Sequence, residues 1–333
     1  MKTFKLLLLL TIIFHSFYAQ SQKMNGISFV ASHSTIDAKH VKPILEVNGN
    51  YVALMPFGFI RELENPNVQY NSSRQWFGET KKGLAHYAKE FKKVKVKVMV
   101  KPQIWVSRGL YTGYIEMKSE ENWKLLEKSY EKFILDYAEI AEKMKAEVLC
   151  IGTELEKFVA QRPKYWTLLI AKIKRVYKGK LTYAANWDEF KRVHFWKELD
   201  YIGVDAYFPL SDKKTPTVAE FENGWKPHKK EIQKIQKENN KPILFTEYGY
   251  RSIDFTGKKP WESNRVKGNV NLEAQKNATQ AIYNQFWKED WFAGGFIWKW
   301  FHNHKKVGGE QNNRFTPQNK PTEKLIKKLY GLK

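Results

Sequence analysis

Only one cysteine, Cys150, occurs in the 333 residues, so no intramolecular disulfide can form and stability must come from packing. The eight histidines lack the H-E-x-x-H spacing with which paired imidazoles on a helix grip a metal, so neither a metal nor another cofactor is expected. A glycine-rich phosphate loop and a G-x-S-x-G nucleophile elbow are missing too. Acids are scarce: 35 Asp and Glu face 57 Lys and Arg, a formal net charge of +22. Beyond the N-terminus no apolar run approaches the length needed to cross a membrane.

What is present begins with a basic start at Lys2 and Lys5, an apolar stretch from Leu6 to Phe14, and the small residue Ala19 before polar Gln20. This is the pattern of a secretory signal peptide over residues 1–19. The mature protein, with its folded domain at residues 24–331, is therefore expected to be exported, periplasmic or extracellular, with no stable membrane insertion. Losing Lys2 and Lys5 lowers the charge from +22 to +20. Such an excess attracts anionic polymers. Yet the lysines lie along amphipathic stretches (residues 89–97, 124–145 and 229–241), with no aromatic-interleaved cluster, so nucleic acid is not an expected partner. The chain is expected to act as a monomer. A composition that is 42% hydrophobic and 15% aromatic builds a large core and excludes overall disorder. Twelve tryptophans exceed what that core needs. Indole faces stack on sugar C–H faces as readily as on each other, although most of these rings also suit helix packing.

Apolar runs bounded by turn residues alternate with stretches of helical periodicity. Strands are expected near residues 25–30, 51–57, 94–100, 147–154, 180–185, 200–206, 242–247 and 293–298. Helices are expected near 34–47, 78–93, 120–145, 163–177, 188–197, 218–238, 271–287 and 321–330. Eight strand–helix units in strict alternation predict one domain, a closed (β/α)8 TIM barrel.

Two of these strands end in glutamate, Glu154 and Glu247. Barrel enzymes place their chemistry at the C-terminal ends of strands. With simple alternation, Glu154 shares a face with Gly152 and Cys150, and Glu247 with Phe245 and Ile243. If both faces point inward, two carboxyls meet at the mouth, as glycoside hydrolysis requires. Glu156 competes with Glu154 for the acid position; Glu154 is preferred because it follows the apolar run directly. The other strand ends supply Lys101, Gln103 and Trp105, then Asn186 and Trp187, Asp205 and Tyr207, Arg251, and Trp298. Tyr207 could donate to the nucleophile and Trp298 could floor the sugar, or both could be core aromatics. Lys101 and Asn186 could hold hydroxyls. Asp205 could bind sugar, or pair with Lys101 or Arg251.

The stretches 151–155, 205–207, 244–250 and 295–298, with their strand-end acids, resemble glycoside hydrolases of clan A and most closely glycoside hydrolase family 113, over the whole mature chain. That resemblance implies a retaining β-1,4-mannanase acting on an oligo- or polysaccharide. It implies Glu154 as acid/base, Glu247 as nucleophile, Tyr207 orienting the nucleophile, and Trp298 under the sugar at the cleaved bond. One departure is Thr153, where the wider clan carries an asparagine for the sugar 2-hydroxyl. The expectation is an exported, endo-acting β-mannanase. A clan relative acting on another or a charged glycan, and a barrel that binds glycan without cutting it, are the alternatives.

Overall fold

A computed structural model describes residues 22–263 and 267–332; the expected signal peptide lies outside the described residues. Eight parallel strands close into a barrel in the order β1-β11-β10-β9-β8-β7-β5-β2. They are β1 (Met24–Phe29), β2 (Tyr51–Leu54), β5 (Lys97–Val100), β7 (Val148–Thr153), β8 (Lys180–Asn186), β9 (Ile202–Asp205), β10 (Ile243–Tyr248) and β11 (Phe292–Trp300). Interspersed among them, β3 (Phe57–Ile60), β4 (Gln69–Tyr70) and β6 (Gln103–Val106) form a separate small sheet. The helices are α1 (Ala38–Glu46), α2 (Lys81–Lys93), α3 (Glu120–Lys143), α4 (Glu156–Gln161), α5 (Pro163–Val176), α6 (Val218–Asn239), α7 (Leu272–Phe286) and α8 (Pro321–Tyr330). The expected (β/α)8 barrel is the fold.

The helices form where the apolar spacing predicts. In α3 the buried residues Trp123, Leu126, Tyr130, Phe133, Ile134, Tyr137, Ala138 and Ala141 recur every three or four positions, a stripe that seats on the strands. Caps set the starts: Ser119 accepts from Asn122 N–H on α3, and Thr217 with Glu220 forms a capping box on α6. Most of the core lies between strands and helices. A smaller plug of Met24, Tyr51, Ala53, Met99, Val148, Leu244 and Phe296 fills the barrel interior.

Three local expectations give way. The strand expected at 51–57 is two strands, because Pro56 has no N–H for the ladder and the chain leaves the barrel there. The one expected at 94–100 begins at Lys97, since α2 runs to Lys93 and Lys95 is left-handed at φ 61°. No helix occupies 188–197; turns and one short 3-10 segment (Trp196–Glu198) fill that unit. There the buried Glu189 accepts from Asn186 N–H (3.0 Å) and the Tyr183 hydroxyl (2.7 Å). This compact turn drives Phe190, Phe195 and Trp196 into the core at a spacing no helix face could provide.

Candidate active site

Both acids reach the barrel mouth, but not by the alternation expected of their strands. On β10, Phe245 packs outward against Trp225 and Phe286, with ring centroids at 6.2 and 4.8 Å. Regular pleating would send Glu247 the same way. Instead the register slips: Phe245 pairs with Val204 and Glu247 with Asp205, so β10 carries one extra residue against β9. Thr246 and Glu247 thereby both serve the interior, while Tyr248 turns back out toward Trp287 and Tyr330. The β7 strand repeats the device, with three steps from Cys150 to Thr153 opposite two from Thr182 to Ala184. Gly152 is turned to the helix side, where an added Cβ would sit 2.9 Å from Tyr130 Oη and 3.1 Å from Trp166. These are β-bulges, which re-aim side chains beside active sites.

Glu154 completes the turn in the left-handed region at φ 50°, a conformation that costs a non-glycine residue about 1–2 kcal/mol. Three contacts hold it there. Glu154 N–H donates to Ala184 O (2.8 Å), Thr112 Oγ1 donates to Glu154 O (3.1 Å), and Leu155 N–H donates to Tyr183 Oη (2.7 Å). Strain kept in place by its surroundings is the kind stored at functional sites. The rival acid, Glu156, opens α4 and pairs with Arg192, away from this mouth.

The two carboxyls sit in unlike surroundings. Glu247 is buried, and three donors converge on it: Lys101 Nζ (2.5 Å) and Gln103 Nε2 (2.9 Å) on Oε1, and Tyr207 Oη (2.9 Å) on Oε2. Burial, and then the Glu247 charge, push the Tyr207 hydroxyl well above the usual phenol range, so it stays a donor. Glu154 is half-buried in the same mouth. Burial first, then the charges of Asp205 and Glu247, raise its carboxyl well above the usual range, which favours its protonated form. A donor-wrapped carboxylate beside a proton-bearing carboxyl can supply a nucleophile and a general acid to one bond.

Lys101 is fully buried, and its ammonium is spent on Asp205 (3.0 and 3.2 Å) and Glu247 rather than left open for a hydroxyl. Burial alone would lower its pKa, but the two carboxylates carry it above the ordinary lysine value. Asp205 also accepts from Thr246 Oγ1 at 2.7 Å. Burial and the neighbouring Glu247 push its carboxyl up to about 7, against the pull of Lys101. Removing the cation as Lys101→Met strands two buried carboxylates, and the loss is expected to cost about 3–5 kcal/mol of stability. Urea denaturation measures it; an unchanged midpoint would show that the carboxylates do not depend on Lys101.

The remaining rim residues spread around the mouth. Asn186 donates to Tyr111 Oη (3.0 Å). Trp187 stacks on Trp261, centroids 5.4 Å apart and planes 14° apart. Trp298 is half-buried at the end of the β11 run. Trp105 is 45% exposed, two residues beyond Gln103 on β6, so it presents the same face. Phe57 and Phe59 of β3 pair in register with those two residues and extend the shelf. Arg251 is buried, gives Nη1 to Ser263 O (3.2 Å), and makes no contact with either strand-end acid. Tyr111 and Thr112 next to Glu154 went unnoticed in the sequence, since they lie far from any strand end; so did Lys299. Among the described residues, no cluster of three or more His, Cys, Asp or Glu side chains is placed to hold a metal.

The profile of Glycoside Hydrolase Family 113 matches residues 30–320. A family 113 β-mannanase from Alicyclobacillus acidocaldarius, solved with ManMIm, superposes with a TM-score of 0.81 at 23% identity, covering 92% of this chain and 97% of that one. A second structure, a complex of a family 113 β-1,4-mannanase, gives 0.81 at 22% identity over 94% and 100%. A β-glucuronidase from Ruminococcus gnavus shares the barrel more loosely, with a TM-score of 0.57 at 13% identity over 89% of this chain and 46% of that one. Sequence comparison with curated proteins gives no match. With the profile matched from just after β1 to just before α8, the chain belongs to Glycoside Hydrolase Family 113 and is a glycoside hydrolase.

Proposed function

We propose that the protein is an exported, monomeric, retaining endo-β-1,4-mannanase with Glu247 as nucleophile and Glu154 as acid/base. The observation that carries this reading is the contrast between the two carboxyls, one wrapped by Lys101, Gln103 and Tyr207, the other burdened by burial and like charge. In the first step Glu247 attacks the anomeric carbon while Glu154 gives its proton to the leaving oxygen. In the second, Glu154, now a carboxylate, takes a proton from water as that water displaces Glu247. Trp298 floors the sugar at the cleaved bond. The family and its two mannanase-like structures support β-mannan as substrate. Aromatic rings on either side of Glu154, exposed Trp105 in one direction and half-buried Trp187 stacked on exposed Trp261 in the other, support a long cleft and internal cleavage. Export rests on the pattern of residues 1–19.

Incubation with soluble β-mannan, cellulose and xylan oligosaccharides is the test. Internal cleavage of the mannan series, with the β-anomer appearing first by proton NMR, is expected. An initial α product would sink the double displacement, and cleavage confined to another series would sink the substrate.

A further inference from the structure

Lys101 is neutralised by two carboxylates, but the cations one layer further out are not. Lys299, directly after Trp298, lays its ammonium over the Trp298 ring at 4.9 Å and over the Phe301 ring at 5.5 Å. It lies near enough to Glu247 to feel its charge, and among the described residues no carboxylate pairs with it. Arg314, exposed at the rim next to the Phe315 ring that packs on Tyr207 at 6.0 Å, has no ion-pair partner among them either. Arg251 is 2% exposed, with Nε and Nη2 unpaired. Among the described residues, Glu262 is the acid that bears on it. Arg314 stands within electrostatic reach of both Lys299 and Arg251. Lys299 thus stands at one flank of the nucleophile, with Arg314 within its reach and Arg251 within reach of Arg314.

That proximity has a cost. Burial is the first cause that lowers the Lys299 pKa, and Arg314 lowers it further. Arg251 is depressed in the same way. A neutral sugar would leave these charges uncompensated, whereas an oxyanion would pair with them where little water competes. The flank is the one beside Trp298, hence the side of the sugar that becomes bonded to Glu247, opposite the leaving group that Glu154 protonates.

We propose that this flank recognises an acidic saccharide: a β-1,4-linked chain whose unit over Trp298, or the unit next to it, carries a carboxylate or sulfate at C6, paired with Lys299 and Arg314. This deepens the reading above and rests on its placement of the sugar over Trp298. A mannuronate unit keeps the linkage and the axial 2-hydroxyl of mannose and differs only at C6, so the two oligomers form a matched pair.

The test measures binding of mannotetraose, of β-1,4-linked tetramannuronate and of 6-O-sulfated mannotetraose to the inactive Glu154→Gln protein by calorimetry, at low and high salt. At least tenfold tighter binding of an acidic ligand than of mannotetraose at low salt is expected, with the advantage shrinking as salt rises. The carboxylated and sulfated arms show which oxyanion is taken. Adding Lys299→Met or Arg314→Gln should collapse the ratio, and Lys299→Arg should keep it. Equal or weaker binding of both acidic ligands, or a ratio untouched by Lys299→Met, overturns the proposal. Turnover separates the two readings. If the wild-type enzyme cleaves mannan but shows no acidic preference, this inference alone fails. If it cleaves acidic chains and leaves mannan intact, only the neutral-mannan reading fails.

Discussion

Glu247→Gln is expected to lower kcat on manno-oligosaccharides by about 10⁴–10⁶-fold, the scale on which removal of a covalent nucleophile acts. The substitution fits the site. The amide oxygen can accept from Lys101 and Gln103 as Oε1 now does, and the Tyr207 hydroxyl can turn to accept from the amide. The fold should therefore survive, and a near-native circular dichroism spectrum is the control. A shorter variant, Glu247→Ala, adds a stereochemical readout. With the carboxylate gone, the α face of the sugar opens to a small anion, so azide should restore turnover of an activated aryl glycoside and yield the α-glycosyl azide. A β-azide would assign the nucleophile elsewhere, and near-wild-type activity of Glu247→Gln would remove Glu247 from the chemistry altogether.

Glu154→Gln is expected to cost about 10²–10⁴-fold on substrates with sugar leaving groups, the range of general acid–base catalysis. The loss should be much smaller in the first step with an aryl leaving group that needs no proton. Azide offered to Glu154→Ala should give the β-glycosyl azide, the opposite outcome from Glu247→Ala, because it attacks the enzyme-bound sugar. The wild-type pH profile carries a second signature. In the proposed reaction Glu154 acts with its proton on, and burial with the charges of Asp205 and Glu247 raises its pKa. kcat/KM should thus fall on the alkaline side, at a pH above the ordinary carboxylic range, and Glu154→Gln should erase that limb. Stability should move oppositely. A carboxyl with a raised folded-state pKa makes the native state the better proton binder, so it weakens the fold as pH climbs from the ordinary glutamate range through the raised value. Glu154→Gln removes that penalty. It should be more stable than wild type at neutral pH, and thermal melts at pH 4 and pH 8 would show the difference only at the higher value.

Much of the barrel was legible because buried parallel strands are written as apolar runs, and the sequence carries eight of them. The two acids were legible as charges closing such runs. How they reach the mouth was not. The faces assigned to Phe245 with Glu247 and to Gly152 with Glu154 followed strict alternation, and a bulge is a mismatch between two strands that neither records alone. The small sheet of β3, β4 and β6 was hidden for a related reason: four-residue strands after Pro56 and Pro102 read as loop until each meets the other. The missing fifth helix turns on one buried carboxylate, Glu189, which burial pushes up to about 8 and which caps its own turn. Lys299 carried no signal, since a lysine between two tryptophans reads as a solvated face until the ring geometry is seen.

Both acids depend on one surplus residue in their strands, and this ties stereochemistry to strand length. Deleting Gly152, or the extra residue of β10, would leave every apolar side chain facing as it does now but retract one glutamate by about 3.3 Å, a single strand step. Carboxyl separations of about 5–5.5 Å support retention and about 6.5–9.5 Å inversion, so that step is as large as the gap between the two reaction classes. In this barrel an insertion or deletion at the rim, rather than any substitution in the core, is the change that would rewrite which anomer leaves the enzyme.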